Sequence, residues 1–155
     1  MPMTNIKTRS PLLALLLAAF CAAAGAQGVP QELPAITLNA GMHNIRAAVA
    51  VASDQLHTGL MFRRQMAQHE GMLFVYEALE RRCFWMKNTI LPLSIAFLAD
   101  DGTVVNIEDM QPQTLDSHCS TQPVRYALEM HQGWFAKRGI KAGSKIGGKP
   151  FTAPR

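Results

Sequence analysis

Residues Cys83 to Leu93, reading CFWMKNTILPL, place two aromatic rings, a thiol, an ammonium and an amide within one short stretch. In an extended chain, alternation puts Phe84 and Met86 on one face and Cys83, Trp85 and Lys87 on the other. Both faces therefore carry something large. Asn88 and Thr89 interrupt the apolar run, and Pro92 cannot donate to a central ladder, so the strand is predicted to end near Lys87 and turn before Leu93. A polar cluster at the end of a buried strand is a frequent setting for a binding site.

The flanks read as more β-structure. Downstream, Leu93, Ile95 and Phe97 share one face, and Val105 and Ile107 form the next apolar face after a turn. A three-residue loop, Asp100-Asp101-Gly102, with Gly102 in the left-handed position of a bulge, sets Phe97 opposite Val105 and Ile95 opposite Ile107. Upstream, MLFVY at Met72 to Tyr76 is a buried strand, and Glu77 to Arg82 is a charged connector. Ile36 and Leu38, then Ile45, Ala47, Val49 and Val51, form an opening pair turning at Asn39-Ala40-Gly41. Ser53 and Asp54 are N-cap candidates for one helix running from Gln55 to Met66.

Asp109 to Gln122 lacks periodicity and reads as a long loop. Tyr126, Leu128 and Met130 alternate with Ala127, Glu129 and His131, the pattern of a strand with one polar face. Trp134 and Phe135 sit on a turn or short helix that Gly139 ends, and Ser144 to Gly147 suits a last short strand.

The N-terminus addresses the compartment. Lys7 and Arg9 precede an apolar run from Leu12 to Ala24, and Ala24-Gly25-Ala26 supplies a small-x-small cleavage site, so residues 1–26 are expected to be a secretory leader cut after Ala26. A lipid anchor at Cys21 is disfavoured by Phe20 before it. The expected product is exported, periplasmic or secreted, with a flexible lead-in over 27–33 and one domain over 34–155. Of 15 Lys plus Arg, 13 remain against 11 Asp plus Glu, a net charge of about +2 rather than +4. That balance argues against nucleic acid as a partner. No later apolar run is long enough for a transmembrane span. Cleavage also removes Cys21, leaving Cys83 and Cys119, which in an oxidising compartment suggest one disulfide.

Five segments carry a family resemblance: TGLMFRR (Thr58 to Arg64), GMLFVY (Gly71 to Tyr76), FWMKNT (Phe84 to Thr89), PLSIAFLADDG (Pro92 to Gly102) and RYALEM followed by Gly133. With them the chain resembles the uncharacterised family called domain of unknown function 192. The resemblance implies a mainly β fold: a compact antiparallel β-sandwich or distorted barrel with one or two short helices. It carries no agreed catalytic residues.

Three readings of function stand side by side. In the first, Trp85, Lys87, Asn88 and Thr89, with Tyr126 or Glu129 from a neighbouring strand and Asp116 and His118 from the loop, line a pocket of a non-catalytic module of the cell envelope. Its ligand would be a small molecule, glycan or peptide, with Trp85 as stacking surface. In the second, the same segment is architecture: Trp85 in the core, Lys87 snorkelling and Asn88 bonding the turn backbone. The third is a hydrolase using Asp116 and His118 with Lys87 or Glu129. No nucleophile elbow or phosphate loop supports it, and the histidines are scattered, so no metal and no cofactor are expected.

Overall fold

A computed structural model describes residues 28–151. The leader expected over 1–26 and its cleavage site lie outside the described residues. The chain is mainly β, as the sequence implies. Its elements are β1 (Ala35–Ala40), β2 (His43–Ala50), α1 (Ser53–Thr58), β3 (Glu70–Glu80), β4 (Cys83–Phe84), β5 (Leu93–Leu98), β6 (Val104–Met110), β7 (His118–Cys119) and β8 (Val124–His131), followed by a single 3-10 turn at Ala136–Arg138. One sheet holds six strands in the order β1-β2-β3-β8-β5-β6, and β4 and β7 form a separate two-stranded ribbon.

The sheet is not a closed barrel. The C-terminal segment spans its two edges, where Gly147 bridges to Asn39 and Lys145 to Thr103, so Ser144 to Gly147 contributes isolated bridges rather than a strand. All ladders are antiparallel except β2–β3, which is parallel. A parallel neighbour requires a crossover, and residues 51–69 supply it, including α1.

That crossover holds less helix than its pattern suggests. The helix stops at Thr58, because Gly59 (φ 49°) and Phe62 (φ 66°) both leave the right-handed region. The cap is also displaced: the N–H groups of Val51 and Ala52 donate to Gln55 Oε1, so Ala52 is the N-cap. At the other end, Gln31 Nε2 donates to the carbonyls of Gln55 and Gly59 at 2.9 and 2.8 Å. The Gln55 carbonyl also accepts the Gly59 N–H at 2.9 Å, so Gln31 reinforces the helix's C-terminal cap, and the lead-in is tied down by contacts its sequence does not announce.

Both faces of the sheet are covered. One face carries Leu38, Ile45, Leu73, Leu98, Leu128 and Met130 beneath Trp134, Phe135, Ile140 and Ile146 of the C-terminal segment. The other carries Met72, Phe74, Leu93, Ile95, Phe97 and Ala127 beneath Leu60, Met86 and the half-buried Phe84. The strand β8, expected to show one face to water, instead lies between β3 and β5 with both faces buried.

The expected three-residue loop is present: Gly102 N–H bonds to Ala99 O, Ala99 N–H bonds to Thr103 O, and Gly102 has φ 80°. The expected register is not. A bulge after the Leu98–Val104 pair sets Phe97 opposite Asn106 and Ile95 opposite Glu108. Because both faces of β5 are buried, keeping a single face apolar did not fix the pairing.

Candidate functional site

The ribbon carries the site. Cys83 and Cys119 are directly paired residues of β4 and β7, with Cα atoms 4.1 Å apart and their sulfurs joined, so the expected disulfide is formed. It anchors the stretch between β6 and β8 beside the central segment; the loop expected over 109–122 is shorter, because Asp109 and Met110 complete β6 and His118 and Cys119 form β7. After Phe84 the chain turns: Thr89 N–H bonds to Met86 O at 3.1 Å, and Asn88 takes φ 54°, as the third residue of a type II turn requires. The strand predicted to run to Lys87 therefore ends at Phe84, although the alternation persists, with Met86 buried and Trp85 and Lys87 exposed.

Beneath the ribbon lies a cavity of about 330 Å³, lined by α1 residues Leu56 and His57, by Gly59 to Met61, by Phe74 and Tyr76 of β3, by Cys83 to Trp85, and by Thr89, Ser117 and Glu129. Glu129 is the unusual member. Its residue exposure is only 4%, and no described residue makes a hydrogen bond or ion pair with its carboxyl group. Burial disfavours the charged form, and the pKa is pushed up to about 8. An orphaned buried acid is costly in a core, yet here it opens onto a cavity.

Tyr76, Trp85 and His57 complete the walls. Burial chiefly pushes the Tyr76 phenol up to about 12; the Glu129 charge adds to this, and Arg82, stacked 4.0 Å over the Tyr76 ring, opposes it. Trp85, 41% exposed, stands at the rim. His57 meets its edge at 6.4 Å between centroids, and Lys87 Nζ lies 5.2 Å from its ring centre.

Of the residues singled out from the sequence, Trp85, Thr89 and Glu129 converge on this cavity. Lys87 reaches it only through Trp85. Asn88 faces a second, wider depression with Gln31, Phe62, Arg63, Ile90 and Gln113. Tyr126 is excluded by alternation: it points to the opposite face of the sheet and packs against Phe151 at 5.2 Å. Asp116 is exposed and His118 half-buried opposite Phe84, and neither lines the cavity. His57, Tyr76 and Ser117 were missed. For Tyr76 a signal existed, since Met72, Phe74 and Tyr76 alternate onto one face; His57 and Ser117 arrive through long-range folding alone.

Among the described residues, no group of three His, Cys, Asp or Glu side chains is placed to hold a metal, and no helix is long and apolar enough to cross a membrane. An open, mainly β sheet with a ribbon-roofed pocket defines the class. The chain belongs to the DUF192 family, described as an uncharacterized ACR, whose model matches residues 35–148. No curated protein matches the chain. It is similar to a solved structure from Sinorhizobium meliloti 1021, provisionally described as a transcription regulator, with 35% identity and a TM-score of 0.70 over 78% of this chain and 97% of that one. A protein of unknown function from Novosphingobium aromaticivorans DSM 12444 is similar at 30% identity and a TM-score of 0.72, over 78% and 94% of the two chains.

Proposed function

We propose that this chain is an exported, non-catalytic module that binds a small molecule in the pocket floored by Glu129. The observation that carries this reading is the buried, unpartnered carboxyl group opening onto a cavity with aromatic walls. A site of this kind, with aromatic walls around a few converging polar groups, suits ligand capture. The cavity is at the small end of the range of ligand pockets, about 300–1,000 Å³, which favours a single sugar unit, a terminal residue of a peptide or a metabolite over a long polymer. Export is supported by the leader-like N-terminus and by the pairing of the two cysteines that remain after cleavage.

The test is a thermal-shift screen of the disulfide-bonded protein against monosaccharides, short peptides, amines and organic acids. A ligand that binds the native state raises the melting temperature by mass action. The expected result is a hit that Trp85→Ala removes. A screen in which no compound raises the melting temperature would sink the binding role.

A further inference from the structure

Charge, more than hydrogen-bonding capacity, sets this cavity apart: His57, Tyr76, Trp85, Thr89 and Ser117 supply donors as well as acceptors, but the one fixed acidic group is a carboxyl. Glu129 is the one carboxyl group among the lining residues, and neither Lys nor Arg lines the cavity. Thr89 already donates its hydroxyl proton to the Lys87 carbonyl at 3.2 Å, so its oxygen offers the cavity lone pairs. Two cations stand behind the walls rather than in the lining: Arg82, over the ring of Tyr76 and ion-paired with Glu80, and Lys87 beside Trp85. Phe74, Phe84 and the Tyr76 ring form apolar walls, and in such surroundings an opposite charge is attracted far more strongly than in water. An anionic ligand would find no lining Lys or Arg to pair with.

Resting on the binding role proposed above, we infer that the pocket takes a small ligand bearing a protonated amine, with the Glu129 carboxylate as its counter-ion and Thr89 Oγ1 as a second acceptor. The proton balance follows. At neutral pH the empty site holds Glu129 as the acid, because burial disfavours its charge. Entry of an ammonium group keeps all its N–H bonds, ionises Glu129, and sends the carboxyl proton to solvent. The titratable groups that share the cavity are Tyr76 from β3, which stays protonated, and His57 from α1; Arg82 lies beyond the Tyr76 ring. From β5 the same face brings only apolar neighbours, Ile95 and Phe97.

The deciding experiment is calorimetric titration of the disulfide-bonded protein near neutral pH with glucosamine, putrescine and lysine methyl ester, each beside its fully N-acetylated form, which keeps no amine. A pH-indicator dye in weakly buffered solution reads proton release from the same mixtures. At least one amine is expected to bind, with its acetylated partner weaker by about tenfold or more. Release should approach one proton per bound ligand, and Glu129→Gln should weaken binding by a similar factor. Proton release is read on the unaltered protein, so the inference stays testable even if that variant fails to fold. Equal binding of the acetylated forms, binding without proton release, or silence from all three amines would overturn it. The first two outcomes, with binding still lost in Trp85→Ala, would leave the pocket's binding role standing. So would silence from the amines if a neutral compound from the wider screen bound in their place.

Discussion

The amide of Phe62 donates to the carbonyl of Asn88 at 2.9 Å, and both residues hold left-handed backbone, φ 66° and 54°. One belongs to TGLMFRR and the other to FWMKNT, so this bond fastens two of the family motifs together. Gln113, at φ 59°, joins them by donating to Thr89 O at 3.0 Å. Three non-glycine residues in this region thus meet in one place, and the surrounding structure must hold them there. Asn tolerates the conformation better than most residues, whereas a β-branched side chain does not. Asn88→Gly should therefore leave stability within about 0.5 kcal/mol, and Asn88→Val should lower it by about 2 kcal/mol. Urea midpoints decide the matter. Ligand binding should survive in Asn88→Gly, because Asn88 does not line the Glu129 cavity; equal midpoints for all three proteins would contradict the turn role.

The disulfide links positions 36 apart in sequence and secures a ribbon of only two residue pairs. Closing a loop of that size contributes about 4 kcal/mol in the chain-entropy model. Replacing both cysteines by serine should cost roughly 2–4 kcal/mol in guanidinium unfolding. It should also weaken any pocket ligand, since Cys83, Phe84 and Trp85 form one wall. A variant that matched the parent's midpoint under oxidising conditions would show that the ribbon stands without its staple.

Much of this was legible because alternation and cysteine parity are local signals. Phe84, Met86 and Trp85 take the faces their spacing assigns, and Cys83 meets Cys119. What stayed hidden depends on long-range pairing. Nothing in the polarity of Glu129 distinguishes a wet strand face from a buried one until β8 is known to lie between β3 and β5 under the ribbon. The bulge beside Leu98 is similarly silent, since either register of β5 buries apolar side chains. Leu56 and Leu60 fit a helical period that runs on to Met66, but Gly59 between them takes a left-handed φ and ends the helix at Thr58.

Gly71 ties β3 to the carboxyl strand by lack of bulk. Its backbone is not left-handed, but a Cβ there would collide with the backbone carbonyl oxygen of Glu129 and with the Met130 sulfur. The sulfur can move; a carbonyl within a six-stranded ladder cannot move cheaply. Gly71→Ala should cost about 3 kcal/mol, at the upper end of ordinary single substitutions, and should displace Glu129 enough to abolish pocket binding. Thermal unfolding followed by circular dichroism tests the first part and titration with a screened ligand the second. A fully stable Gly71→Ala protein would mean that β3 and β8 can separate by more than this packing suggests.

Glu129 should leave a signature in the pH dependence of stability. Its folded pKa, pushed up to about 8, lies above the unfolded carboxyl value of 4.5. Below the unfolded value both states hold the proton, and the native state has its full stability. Between the two values the unfolded chain has released a proton that the native chain retains, so stability falls as pH rises, by at most about 1.4 kcal/mol per pH unit. Above the folded value both states are ionised and the decline from this group stops. Glu129→Gln cannot ionise, so the stability difference, parent minus variant, should fall steadily from pH 5 to pH 8 and then level off. Urea unfolding of both proteins across that range isolates the effect, because every other titrating group is common to them. A saturating amine ligand, if it pairs with Glu129, should abolish the slope, since the bound native state then holds the carboxylate just as the unfolded chain does and retains no extra proton. A difference curve flat from pH 5 to pH 8 would mean that water or a neighbouring donor reaches the carboxylate, and that the acid at the floor of the pocket is not isolated.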